Sequence, residues 1–200
     1  VTHESRIWAK AKDSLWVSED LDVPVPPYLP TTDSSLMDIR RMYSNIKEMD
    51  QRVGELLKEL EDDGLLENTI VFWYTDHGGP LPREKRLIYD SGLNTPMIIR
   101  FPGKINAGSK FTNLVSFVDF APTLLSLINQ KPAEYMQGQA FLGKHQSKKP
   151  RKYIHAAADR FDGERDVIRA VRDNQFKYIR NYMPEKGYYL PITYRERIPS

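Results

Sequence analysis

From Leu36 onward apolar side chains return every three or four positions, at Leu36, Ile39, Tyr43, Ile46, Met49, Val53, Leu56, Leu57 and Leu60. That spacing predicts a long amphipathic helix with one buried face. Asp33 is its expected N-cap, and Gly64 stands where a helix C-terminus belongs. The pattern then changes. Ile70, Val71, Phe72, Trp73 and Tyr74 form an unbroken apolar run that halts at Asp76-His77-Gly78-Gly79-Pro80. A short run bounded by Gly and Pro predicts a strand buried on both faces, as in a parallel sheet. PMIIRF at 96–101, closed by Pro102-Gly103, predicts a second such strand. The stretch 117–129 predicts another helix, with Asp119 near its start and Pro122 in its first turn, where the missing N–H is tolerated.

Outside these elements the pattern is irregular. Residues 1–32 include VPVPPYLP, whose prolines fix an extended path. After Gly143 the sequence HQSKKPRK forms a basic, polar connector. Three short alternating runs follow at 153–158, 166–172 and 176–182, predicting an antiparallel sheet with a turn at 172–175. The expected fold class is α/β: a mostly parallel sheet flanked by helices over 1–147, then a small antiparallel α+β subdomain over 148–200.

Composition narrows the function without naming it. The chain has 200 residues and 40% hydrophobic content, enough for a substantial core. A net charge of +2, with cations scattered along the chain, gives no reason to expect nucleic acid as a partner. Cysteine is absent, which excludes disulfides and thiol chemistry. No membrane span or signal peptide is visible, and a start at Val-Thr-His is what an internal piece would show.

The candidate chemistry sits after the first strand. In open α/β sheets ligands bind beyond the carboxyl ends of the strands. Asp76 and His77 offer a hard carboxylate and an imidazole there, a pair suited to one divalent cation. Read alone, an Asp-His-Gly more often means that Asp76 caps a turn and His77 is a surface loop residue. Lys85 lies in the loop PLPREKRLIYDSGLN, where a cation could face an anionic group; Arg83, Lys85 and Arg86 also read as a solvated basic loop. His3, in VTHESRIW, is a candidate donor to an anionic oxygen or a terminal residue without function. His145 reads as an exposed connector residue, and His155 as a strand histidine in a structural role.

Taken together, TIVFWYT-DHG, the lysine loop, YDSGLNTPMIIRFPG and LVSFVDFAPTLLSLIN resemble the C-terminal half of a sulfatase, in the alkaline-phosphatase superfamily. The likeness covers about residues 30–145, and the tail RAVRDNQFKYIRNYMPEKGYY resembles the small C-terminal sheet of heparan N-sulfatase-type enzymes. The resemblance implies a partial alkaline-phosphatase-like fold, with Asp76 and His77 as ligands of one Ca2+, Lys85 against the sulfate, and His3 at the ester oxygen. It implies hydrolysis of sulfate esters or sulfamates, on a sulfated small molecule or saccharide, in an exported enzyme. The chain departs from the family in lacking the C/S-x-P-x-R motif that yields formylglycine, and the Asp-Asp pair. Those elements are expected in a missing N-terminal portion, without which the chain should be inactive. Two other readings stand beside this one. The first is a phosphomonoester, phosphodiester or phosphonate hydrolase using two transition metals. The second is a non-catalytic module that retains the fold.

Overall fold

The computed structural model describes residues 17–18, 20–161 and 164–187. They fall into two compact units, one ending at Gly108 and the other starting at Ser109.

In the first unit helix α1 spans Asp33–Asp62. Its N-cap is Thr32, one residue earlier than expected, because the Thr32 hydroxyl accepts from the Ser35 N–H at 3.3 Å. Gly64 takes φ +70 just past the helix, the left-handed conformation that ends it. The proline-rich segment packs along the N-terminal half of α1. Val23, Ile39 and Leu81 form the buried cluster, flanked by Leu21, Val25, Leu29, Leu36, Met42 and Tyr43.

Strand β1 (Val71–Tyr74) pairs with β2 (Met97–Arg100) in antiparallel register, Val71 opposite Arg100 and Tyr74 opposite Met97. The expectation of a parallel pair is therefore corrected. A parallel connection needs a crossover element. The residues between these strands instead fold as turns around one short helix, α2 (Asp90–Leu93). Nor is the pair buried on both faces: Tyr74 and Ile98 are 44% and 56% exposed. Arg100 fastens the far end, donating to Leu66 O at 2.7 Å and to Glu67 Oε1 at 2.6 Å.

The second unit is built on Asp119. A 3-10 turn (Phe117–Asp119) runs into helix α3 (Phe120–Leu127) through a capping box, Ser116 with Asp119. Asp119 is 1% exposed and also accepts from Gln139 N–H at 2.9 Å and Arg151 Nε at 2.8 Å. Strands β3 (Ile154–Phe161), β4 (Glu164–Arg172) and β5 (Lys177–Asn181) form an antiparallel sheet in that order. The contacts divide the chain at Gly108, whereas the sequence suggested residue 147. The basic connector is the reason, since Arg151 binds back to Asp119 and joins the connector to α3.

Candidate functional site

Asp76 and His77 lie two and three residues beyond the last residue of β1. The chain turns there because Gly78 and Gly79 follow. Gly78 N–H donates to Gly92 O at 3.0 Å, and Lys85 N–H donates to Gly79 O at 3.0 Å. These bonds bring the lysine loop back to the residue pair after Asp76-His77. A Cβ on Gly78 would stand 1.8 Å from the Ser91 carbonyl oxygen, and one on Gly92 2.2 Å from that of Leu87. Close backbone approach, not a left-handed φ, demands glycine at both positions.

The His77 ring is oriented by its own neighbour. His77 Nδ1 lies 2.7 Å from Gly78 O, a carbonyl that can only accept, so Nδ1 carries the proton. In the neutral ring Nε2 then holds a lone pair, and it sits 3.5 Å from Asp76 Oδ1. Two ligands at right angles about one Ca2+ ion, each near 2.4 Å from it, stand roughly 3.4 Å apart. The donor set and its spacing fit one divalent ion. Asp76 is 63% exposed and His77 23%. Among the described residues no group of three or more His, Cys, Asp or Glu gathers for a metal. By itself the pair offers two donors, fewer than a complete metal site needs. Thr75 Oγ1, next to Asp76, is buried without a hydrogen-bond partner among the described residues.

Other side chains shape the loop, and the sequence reading passed over them. Glu84 Oε2 accepts from Leu81 N–H at 3.0 Å, and burial pushes the Glu84 carboxyl above its usual range despite that bond. Arg83 takes φ 65 and lays its guanidinium over the rings of Tyr28 and Tyr89, at 5.2 and 5.9 Å. Ser91 Oγ donates to Arg83 O at 2.5 Å. Burial, followed by the Glu84 charge, raises the Tyr28 phenol. A charge run such as Arg83-Glu84-Lys85-Arg86 reads as solvated in sequence. The one signal of the half-buried Glu84 was its place between apolar Leu81 and Leu87. His3 lies outside the described residues. His145 and His155 stand apart from the pair in sequence; His155 is exposed on β3, and His145 N–H donates to Ser126 Oγ at 2.8 Å.

A sequence profile of the sulfatase family matches residues 11–130, and one for the N-sulphoglucosamine sulphohydrolase C-terminal region matches 82–191. The chain belongs to the sulfatase family. It is 65% identical over 199 residues to an ulvan-active sulfatase of Formosa agariphila, covering 100% of this chain and 33% of that protein. It is 33% identical over 108 residues to human N-sulphoglucosamine sulphohydrolase, covering 54% of this chain and 22% of that protein. A solved structure in complex with its substrate D-glucosamine-2-N,6-O-disulfate superposes with a TM-score of 0.66 at 26% identity, over 78% of this chain and 35% of that one. The chain thus spans about a third, or less, of the length of these relatives. Among the described residues no helix is long and apolar enough to cross a membrane.

Proposed function

We propose that the full-length protein hydrolyses sulfate esters or sulfamates on a sulfated saccharide and that Asp76 and His77 supply two ligands to a Ca2+ ion. The observation that carries the proposal is the 3.5 Å approach of His77 Nε2 to Asp76 Oδ1 at the end of β1, with the Lys85 loop tied to Gly79. Ca2+ would neutralise sulfate oxygens there, and a formylglycine from the remainder of the protein would supply the nucleophile. The chain's own residues do the rest. The Gly78 carbonyl keeps the His77 proton on Nδ1. Lys85 holds a positive charge against the sulfate and steadies the leaving oxygen. His3 is assigned the proton donor to that oxygen. The 65% relative is named for ulvan, which makes ulvan the first polymer to try. Export is part of the same reading.

The test is sulfate release from ulvan by the full-length protein, with metal analysis of the same sample. One calcium per chain and sulfate release lost on chelation support the reading. Two zinc or manganese ions, with phosphate-ester or phosphonate hydrolysis and no sulfate release, would replace it.

A further inference from the structure

The stretch from Lys144 to Lys152 holds five cations, Lys144, Lys148, Lys149, Arg151 and Lys152, and no acid. Basic runs are usually solvated and mobile. This one is fixed by its backbone. His145 N–H donates to Ser126 Oγ at 2.8 Å, and Ser147 N–H to Ala140 O at 2.8 Å. Lys149 O accepts from Ser147 Oγ at 2.8 Å and from Gln139 Nε2 at 3.3 Å. Arg151 is clamped on Asp119 and bridges to Leu114. The chain is pinned while Lys148, Lys149 and Lys152 stay exposed.

The nearby carboxylates take up part of this charge, Asp119 through Arg151 and Asp173 through Lys152, and the run stays net positive. Asp119 is consumed by Arg151 and two backbone N–H groups. Asp173 accepts from the N–H groups of Gln175 and Phe176, at 2.8 and 2.6 Å. Between the ledge and the turn after β4 lies an open cleft of about 440 Å³, which Asn113, Arg151, Lys152, Asp173, Asn174 and Gln175 help to line. Amide side chains can both donate to and accept from sugar hydroxyls. Phe176, next to Gln175, is 75% exposed, and Tyr153 is 43% exposed beside Lys152. Rigid aromatic faces beside polar groups suit a ligand that is apolar on one side and hydroxylated on the other.

From this juxtaposition we infer that the 144–152 ledge and its cleft bind a sulfated polysaccharide chain, through residues other than Asp76 and His77. Pre-organisation is what distinguishes it from an ordinary basic run, because fixed cations lose less freedom when an anion binds. The polymer class rests on the proposed saccharide substrate, and the ledge would serve to hold that polymer.

The experiment compares the full-length protein with its Lys148→Ala, Lys149→Ala, Lys152→Ala triple variant and with the matching triple Lys→Arg variant. Heparin is the sulfated probe, desulfated heparin, which keeps only its carboxylates, the unsulfated control, and duplex DNA the non-saccharide polyanion. Affinity for heparin is expected to fall about tenfold in the Ala variant, as three exposed contacts each worth roughly twofold. The loss should shrink with added salt and be restored by arginine. KM for polymeric substrate should rise while turnover of a monosaccharide sulfate stays unchanged. Unchanged heparin affinity overturns the inference, and so does an equal loss for duplex DNA. Failure of the parent protein to release sulfate from any substrate refutes the proposed reaction instead, in a separate assay.

Discussion

Replacing Gly78 by Ala tests whether loop position, and not the mere presence of a lysine, sets the site. The added Cβ would stand 1.8 Å from Ser91 O, 2.8 Å from Ser91 C and 2.9 Å from the Gly92 Cα. Ordinary contact begins at 3.4 Å, so the two backbone segments must separate by 3.4 − 1.8 = 1.6 Å. All three obstructing atoms are main chain, so no side-chain rotation relieves the clash. The same separation stretches the Gly78 N–H to Gly92 O bond, now 3.0 Å, which ties the lysine loop to the strand end. A misplacement of about 1 Å can cost roughly 100-fold in rate, and overpacking costs about 1–3 kcal/mol of stability. The expected result in the full-length enzyme is a fall in kcat of at least about 100-fold, with the fold retained in urea titration. Gly54→Ala is the internal control. Nothing lies within 4 Å of its Cβ on α1, so it should gain roughly 0.5–1 kcal/mol and leave kcat alone. A Gly78→Ala enzyme with parental kcat would refute the idea that this contact positions Lys85.

Lys85→Ala should lower kcat by roughly 100-fold or more while the unfolding midpoint holds, since its proposed role is charge against the sulfate; unchanged kinetics would remove Lys85 from the site. Asp119→Ala should cost about 3–5 kcal/mol in urea unfolding, because it strands Arg151 and two backbone N–H groups. Arg151→Ala should cost less, since those N–H groups still satisfy Asp119, and equal losses would contradict the account. For Glu84 the folded carboxyl is raised by burial, so the penalty is absent at acid pH and grows as pH climbs from the unfolded value through the folded one. Glu84→Gln, which can still accept from Leu81 N–H, should therefore gain stability over the parent above that window and match it below. A difference that does not change with pH would show that Glu84 is not desolvated.

The sequence shows some of this well and some of it not at all, for identifiable reasons. Helix α1 was legible because nine apolar positions keep one period, and its stop because Gly64 needs the left-handed region. Its cap was read one residue late, as Thr32 and Asp33 are both capable and the backbone geometry decides. The β1–β2 direction was misread because an apolar run carries no record of its partner's orientation. Periodicity also says that a face wants covering without saying what covers it. Ile46 and Leu56 on α1, and Leu124 on α3, are half-exposed or more. Asp76 and His77 were legible as an adjacent donor pair, since adjacency survives in sequence. Glu84 was not, since its burial depends on how the loop closes.

The two ways this chain handles charge follow from that contrast. Where donors are neighbours in sequence, as Asp76 and His77 are, their proximity can be read from the sequence, and the structure adds the proton position through Gly78 O. Where charges are distant in sequence, only packing reveals which of them remain available. Asp119 and Arg151 are 32 positions apart and neutralise each other in a buried network. Lys148, Lys149 and Lys152 surround that same arginine in sequence, yet their backbone is held and their side chains are exposed. A count of cations would rank all of them alike. The Asp119 network separates them, because the arginine it takes inward is also what fixes the lysines facing solvent. Loosening Asp119 should therefore weaken heparin binding without touching a lysine, and Asp119→Asn, which keeps the size but lowers the charge, is the variant in which to measure it. Full heparin affinity in a folded Asp119→Asn protein would show that the lysines bind without being held.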